Sequence, residues 1–192
     1  MKSLLILLVL TLSYVRAQDG LLLDQYTKRE TISFQLINNL IFIPITVNGV
    51  ELTFLLDTGV AETLLFSVGD SELVLQDTER VKFSGLGGAV EIEGLKSVNN
   101  KVQIGSTYAD SNHTIFVILD EEFNFSSYVG IPVNGIIGYP FFRNHQVKID
   151  YHAKKLPSTG NTATIKFPEN HFRSWTLRLK VISLMSWREW NR

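Results

Sequence analysis

The stretch that decides the fold is FLLDTGVAETLL, residues Phe54–Leu65. It places an apolar segment directly before an acid, a hydroxyl and a glycine, and a second apolar segment follows. An isolated Asp-Thr-Gly usually marks a turn, in which the Asp bonds nearby backbone and the Gly takes a positive φ. Here the carboxylate of Asp57 lies between two apolar segments, so it must be desolvated or paired, which proteins tolerate mainly where the shifted acidity is used. Asp57 is therefore the first candidate for catalysis.

An all-β pattern surrounds this stretch. Between residues 32 and 156, short β-branched and aromatic runs alternate with Gly, Asn and Asp. Leu40–Val47 and Val50–Leu56 are joined by Asn48-Gly49, which predicts a hairpin with a type I′ turn. Further strands are predicted at Thr63–Phe66, Val81–Phe83, Ala89–Ile92, Val102–Ile104, Thr114–Leu119 and Val147–Tyr151. One short helix is predicted at Tyr139–His145, because Pro140 suits a first helical turn.

Two glycine-containing segments lie downstream of Asp57. Gly135-Ile136-Ile137-Gly138 follows it by about 80 residues and, taken alone, is typical of a buried strand end. Ser84-Gly85-Leu86-Gly87-Gly88 lies between two predicted strands, where its glycines permit a mobile tip. An ordinary hairpin loop is the alternative for this second segment. A phosphate-binding loop is disfavoured, because neither a helix start nor Gly-Lys-Ser/Thr follows it.

Together, these segments resemble the aspartic proteases of the retropepsin-like, single-lobe kind, and most of all the secreted bacterial aspartyl proteases. The Phe54–Leu65 stretch resembles the family's active-site signature position for position. The resemblance covers roughly residues 32–156 and implies a closed acid-protease barrel, like one retropepsin or one pepsin lobe, with one short helix. It implies that Asp57 is the catalytic carboxylate.

The resemblance also implies supporting roles. Thr58 would join a hydroxyl network that locks two such loops together, and Gly59 would let backbone amides approach the carboxylates. Ile136, Ile137 and Gly138 would thread beside the catalytic loop. Gly85, Leu86, Gly87 and Gly88 would form a flap over the substrate.

Hydrolysis by this chemistry needs two carboxylates that share one proton around a water. The chain offers one Asp-Thr-Gly, so activity requires a two-fold homodimer in which Asp57 of each subunit meets at the axis. A peptide or protein substrate is expected, with no cofactor and no metal. Val60 lacks the hydroxyl that many pepsin-like lobes place there, so the expected pH optimum is less acidic than that of pepsin. The alternative is a peptide-binding lobe of the same fold that does not cleave.

The two ends of the chain differ from this central pattern. Residues 1–17 are typical of a signal peptide, because Lys2 precedes an apolar run too short to span a bilayer. We therefore expect an exported protein, periplasmic or secreted, without a stable membrane anchor. Residues 18–31 are a lead-in to the domain at 32–156, and 157–192 form a tail whose origin, native, truncated or frame-shifted, stays open. Within this tail a loop is predicted at Pro157–Thr162, and an amphipathic helix is possible from Leu177.

Composition excludes several other classes of function. A net charge of -1 and no long run of like charge argue against a nucleic-acid partner, and the absence of cysteine excludes disulfides and thiolate chemistry. The four histidines form no metal-binding pair at helical spacing, and His145 is expected at a helix end or on the surface. Asp120–Glu122 is interpreted as a solvated loop, and the sequons at Asn112 and Asn124 as incidental.

Overall fold

The structure is a computed structural model that describes residues 20–23, 29–66, 72–83, 92–120, 125–160 and 174–177. The signal-peptide, flap and Asn124 predictions, and most of the tail, lie outside these ranges. Within them the strands are β1 Leu22–Leu23, β2 Arg29–Ser33, β3 Gln35–Ile37, β4 Leu40–Val47, β5 Val50–Leu56, β6 Thr63–Leu65, β7 Thr78–Phe83, β8 Ile92–Ile104, β9 Tyr108–Ile118, β10 Gly135–Ile137, β11 His145–Asp150, β12 Lys155–Gly160 and β13 Ser174–Leu177. The helices are α1 Ser126–Val129 and α2 Tyr139–Phe142.

The β4–β5 hairpin matches its prediction at both ends. The strands pair antiparallel, with Val47 opposite Val50. Asn48 and Gly49 take positive φ values of 48° and 91°. Positive φ at both central residues is what a type I′ turn requires, and its twist matches the twist of the flanking strands.

The larger sheet carries the hairpin in a continuous circuit of pairings. β5 pairs parallel with β10, β10 antiparallel with β6, and β6 parallel with β9. β9 pairs antiparallel with β8, which pairs with β4 and so returns to the hairpin. The all-β prediction is confirmed. Inserting β10 between β5 and β6 fixes the two strands that flank Asp57.

The core fills the space that these strands enclose. In β4 the buried side chains of Ile43, Ile45 and Val47 alternate with the more exposed Pro44 and Thr46 and face this core, while Phe42 is buried on the opposite face in a second, smaller cluster. Phe54 of β5 and Ile137 of β10 join the larger apolar cluster, together with residues of β8, β9, β11 and β12. The strands that hold the candidate site are thereby anchored in the core.

A second, four-stranded sheet corrects the prediction for the tail. Its order is β13-β11-β12-β2, so Lys155–Gly160 is a strand and the predicted loop from Pro157 is wrong there. Leu156 and Ser158 are buried, and this long-range packing overrides the turn-like composition of Pro-Ser-Thr-Gly. Ser174–Leu177 is also a strand, and the residues after Leu177 that could line an amphipathic helix lie outside the described residues.

Other boundaries differ from their predictions. β8 runs unbroken from Ile92 to Ile104, where two separate strands were expected. Asn99 takes φ 60° at an irregularity between Ser97 and Asn100, so the Asn-Asn pair marks a bulge and not a strand end. The predicted helix is shorter and ends at Phe142, and α1 was not expected. Across the described ranges, no helix is long and apolar enough to cross a membrane.

Candidate active site

The loop that carries Asp57 begins and ends beside the same residue of β10, Ile137. Asp57 follows β5 directly, and its N–H donates to the carbonyl of Ile137 at 3.0 Å. Thr63, which opens β6, is paired with Ile137 on the other side of β10. Both ends of the 57–62 loop are therefore fixed to the same backbone position, as the threading of Ile137 beside the loop implies.

Backbone amides inside the loop turn back toward Asp57. The N–H of Gly59 donates to Oδ1 of Asp57 at 2.8 Å, and the N–H of Val60 donates to the Asp57 carbonyl at 3.3 Å. Asp57 is half-buried, while Thr58 and Gly59 are exposed. The expected desolvation of Asp57 is therefore only partial in a single chain, because the loop lies open to solvent on one side.

Gly138 brings the start of α2 against the loop. The N–H of Tyr139 donates to the carbonyl of Val60 at 2.9 Å. A Cβ at position 138 would lie 1.9 Å from that same oxygen and 2.6 Å from the carbonyl oxygen of Asp57. Glycine is required here because the backbones approach too closely for a side chain. Ile136 points away from this contact, toward the smaller apolar cluster that contains Phe42.

Asn134 is a supporting residue that the sequence analysis missed. Its Oδ1 accepts from the N–H of Thr53 at 2.8 Å, and its own N–H donates to the carbonyl of Thr53 at 2.8 Å. The N–H of Phe66 donates to the carbonyl of Asn134 at 2.9 Å. Asn134 thus ties the middle of β5 to the residue after β6, just before β10 begins. The only sequence feature that could have indicated this role is its position immediately before Gly135.

A buried polar chain ends at Thr63, and it too was missed. Oγ1 of Thr63 lies 2.7 Å from Nε2 of His113, and Nδ1 of His113 lies 2.9 Å from Oδ2 of Asp110. All three side chains come from strands that meet only in the folded sheet, β6 and β9. A sequence spacing of 50 residues between Thr63 and His113 gives no local pattern to detect.

Charged groups surround the exit of the loop. Burial raises the pKa of the Glu62 carboxyl, and the positive charges of His113, Arg143 and Lys96 oppose that rise. Arg143 follows α2, and among the described residues none accepts a hydrogen bond from its buried Nε. The loop that carries Asp57 therefore contains a second carboxyl, that of Glu62, whose protonated form is favoured by burial.

His145 was expected at a helix end or on the surface, and the surface position is wrong. It is buried at the start of β11, and its Nδ1–H donates to the carbonyl of Phe141 in α2 at 3.0 Å. Burial lowers the pKa of His145, and this hydrogen bond opposes the change. The predicted link to a helix end is present, but it is made inside the core.

The flap candidates Gly85, Leu86, Gly87 and Gly88 lie outside the described residues. The strands on either side of them, β7 and β8, pair antiparallel from Thr78–Ser97 to Phe83–Ile92. Residues 84–91 therefore connect two paired strand ends. Among the described side chains, no group of three or more His, Asp or Glu could hold a metal ion.

Fold and site together define an acid-protease lobe, in which an Asp-Thr-Gly loop is held against an Ile-Ile-Gly strand end. A family model described as aspartyl protease matches residues 43–141, just over half of the 192 residues, and the chain belongs to this family. The predicted resemblance is thereby confirmed at the level of the family.

One solved structure shows what the chain is similar to beyond that model. It is the crystal structure of a retropepsin-like aspartic protease from Rickettsia conorii, with 16% sequence identity and a TM-score of 0.45. The match covers 76% of this chain and 97% of that one. No curated protein matches the chain.

Proposed function

We propose that this chain is an aspartic endopeptidase that acts as a homodimer, with one Asp57 from each subunit at a shared site. The observation that carries the proposal is the hold on Asp57: its backbone is bonded to Ile137 and its Oδ1 to the N–H of Gly59, while the carboxylate keeps access to solvent. One Asp-Thr-Gly per chain supplies one carboxylate, so two chains complete the pair.

In this mechanism the two carboxylates share one proton around a water molecule. The ionised Asp57 accepts a proton from the water, whose oxygen attacks the carbonyl carbon of the scissile peptide, while the protonated Asp57 donates to the carbonyl oxygen. The tetrahedral diol then transfers a proton to the amide nitrogen, and the C–N bond breaks. The released acid and amine leave the pair sharing one proton again.

Neighbouring residues take supporting roles in this proposal. Thr58 is exposed beside Asp57, which suits a hydroxyl that bonds across the dimer axis. Gly85, Leu86, Gly87 and Gly88 would cover an extended peptide, since they connect the ends of paired strands. No hydroxyl at Val60 donates to the carboxylate, so we expect a pH optimum less acidic than that of pepsin.

Export is part of the same proposal. The signal-peptide prediction for residues 1–17 places the mature enzyme in the periplasm or outside the cell. The substrate is a peptide or an unfolded protein segment, because a single β lobe and its partner enclose an extended chain between them. Cofactors and nucleic acid have no role in the proposed reaction.

The test compares the wild-type chain with Asp57→Asn. The asparagine keeps an Oδ1 that accepts from the N–H of Gly59, so the loop geometry is retained while the acid is lost. Asp77→Asn is a matched control, because it removes one carboxylate from the turn before β7. Cleavage of a mixed peptide library, followed by mass spectrometry, should be abolished by Asp57→Asn alone. Sedimentation at several concentrations measures dimer formation.

Two outcomes would overturn this proposal. Full peptidase activity in Asp57→Asn would show that another group performs the chemistry. A monomeric chain that binds library peptides without cleaving them would favour the alternative, a peptide-binding lobe.

A further inference from the structure

Three buried polar side chains form a chain of hydrogen bonds at the exit of the Asp57 loop. Thr63 is 1% exposed, and the side chains of His113 and Asp110 are 4% and 8% exposed. Buried polar groups are expensive unless each has a partner, and here each has one. Because Thr63 is enclosed, its hydroxyl cannot reach a substrate, so this arrangement is not a nucleophilic triad.

The protonation state of Asp110 follows from its partners. Burial acts to raise the pKa of Asp110, but hydrogen bonds from His113 and from the N–H of Asn112, together with the positive charges of His113 and Arg143, outweigh it and the pKa is lowered. The carboxylate of Asp110 is therefore an acceptor, and Nδ1–H of His113 donates to it. In the neutral imidazole, this tautomer leaves Nε2 to accept from the hydroxyl of Thr63. In the imidazolium, Nε2–H donates to Oγ1 of Thr63 instead, so the network assigns the direction of the bond between His113 and Asp110 only.

The chain of hydrogen bonds is coupled to Asp57 through one residue of β10. The backbone of Thr63 pairs with Ile137, and the carbonyl of Ile137 accepts from the N–H of Asp57. Fixing the side chain of Thr63 therefore fixes the strand end against which Asp57 is held. Asp110 on β9, Glu62 in the loop, Lys96 on β8 and Arg143 after α2 are the charged groups that act on this region.

We propose that His113, oriented by Asp110, is a positioning residue for the Asp57 loop and acts through the hydroxyl of Thr63. Second-layer hydrogen bonds of this kind hold a catalytic group within the narrow tolerance that its chemistry demands. The kinetic part of this inference rests on the proposed peptidase function. The geometric part, that the loop is held by His113, stands without it.

The primary test removes the hydroxyl with Thr63→Val and restores it with Thr63→Ser. Valine keeps the branched shape, so the loss of the hydrogen bond to His113 is the main change. We expect kcat to fall about tenfold with KM changed less than about twofold, because loop position affects the transition state more than substrate binding. Thr63→Ser should recover most of kcat. His113→Gln should match the valine variant.

A second readout follows the loop itself. In Thr63→Val, amide hydrogen exchange at Asp57 and Val60 should quicken about tenfold under native conditions, as local opening becomes easier. Tyr108→Phe is the control: it deletes a buried hydrogen bond to Ser158, outside the loop. That control should lose stability without changing kcat or exchange at Asp57.

The outcomes separate the two proposals. If the wild-type chain cleaves no peptide, the proposed function fails, and amide exchange still decides the role of His113. Equal exchange at Asp57 in Thr63→Val and in Tyr108→Phe overturns the positioning role. If Thr63→Val does not fold, Asp110→Asn replaces it, and exchange at Asp57 that stays at the wild-type rate overturns the inference in the same way.

Discussion

Replacing Gly138 by alanine tests how the Asp57 loop is held. The new Cβ would lie 1.9 Å from the carbonyl oxygen of Val60 and 2.6 Å from that of Asp57. Ordinary van der Waals contact begins at 3.4 Å, so the nearer oxygen is too close by 1.5 Å. Both obstacles are backbone atoms and cannot rotate away as a side chain can. The φ of Gly138 is −126°, outside the left-handed region, so the effect is steric.

The expected size of the effect follows from this collision. Overpacking in a well-packed core typically costs about 1–3 kcal/mol, and we expect the upper end because two carbonyls must retreat. A displacement of about 1 Å in a catalytic group can lower the rate by about 100-fold. We therefore expect Gly138→Ala to lose about 3 kcal/mol of unfolding free energy and to lower kcat/KM about 100-fold.

Gly130→Ala is the matched control for this experiment. A Cβ at position 130 would enter open space, since nothing lies within 4 Å of it, but the φ of Gly130 is 81°. An alanine in the left-handed region costs about 1–2 kcal/mol, so the control loses stability without touching the loop. Urea denaturation followed by circular dichroism gives the unfolding free energies, and peptide cleavage gives kcat/KM. If Gly138→Ala costs no more than Gly130→Ala and cleaves normally, the close-approach reasoning is wrong.

Three further predictions concern stability. Asn134→Leu should lose about 1–3 kcal/mol in urea denaturation, because the part-buried N–H of Thr53 loses its acceptor. Burial raises the pKa of Tyr108 to about 12, helped by Glu30 and opposed by a hydrogen bond to Ser158. The neutral phenol thus favours the folded state, so stability should fall by about 2–3 kcal/mol as pH rises from about 10 to 12, and Tyr108→Phe should remove this fall. Burial lowers the pKa of His145 below 6.5, so the unfolded chain takes up a proton first. Stability should decline as pH falls below about 6.5, and His145→Gln should flatten that decline in a pH series of urea titrations.

The parts of the fold that the sequence predicted are those fixed by local chemistry. Asn48 and Gly49 alone specify the turn that joins the strands Leu40–Val47 and Val50–Leu56. The turn signal lies in two consecutive residues, so no knowledge of the tertiary fold was needed to recognise it. Gly138 was identified differently, through the resemblance of Gly135-Ile136-Ile137-Gly138 to a family element, and the close backbone approach that demands glycine there is seen only in the structure.

The parts that were missed depend on partners far along the chain. Ser158 lies in a turn-like stretch, yet β12 forms because this strand finds β2 and β11 on either side. Asn100 lies between two predicted strands, but it is buried in a bulge of β8, where its amide donates to Ser97 and to the carbonyl of His113. Their environment exists only after the sheet has closed around them.

The same distinction explains which part of the candidate site could be predicted from the sequence. The loop itself is held by backbone groups, from the N–H of Asp57 on Ile137 to the N–H of Tyr139 on Val60, and such contacts constrain the sequence locally through glycines. Its exit is held by side chains, Thr63 with His113, whose pairing leaves no local constraint. The Asp-Thr-Gly stretch therefore gives no indication that His113 affects the site. The structure nevertheless connects His113 to Asp57 through a single residue of β10.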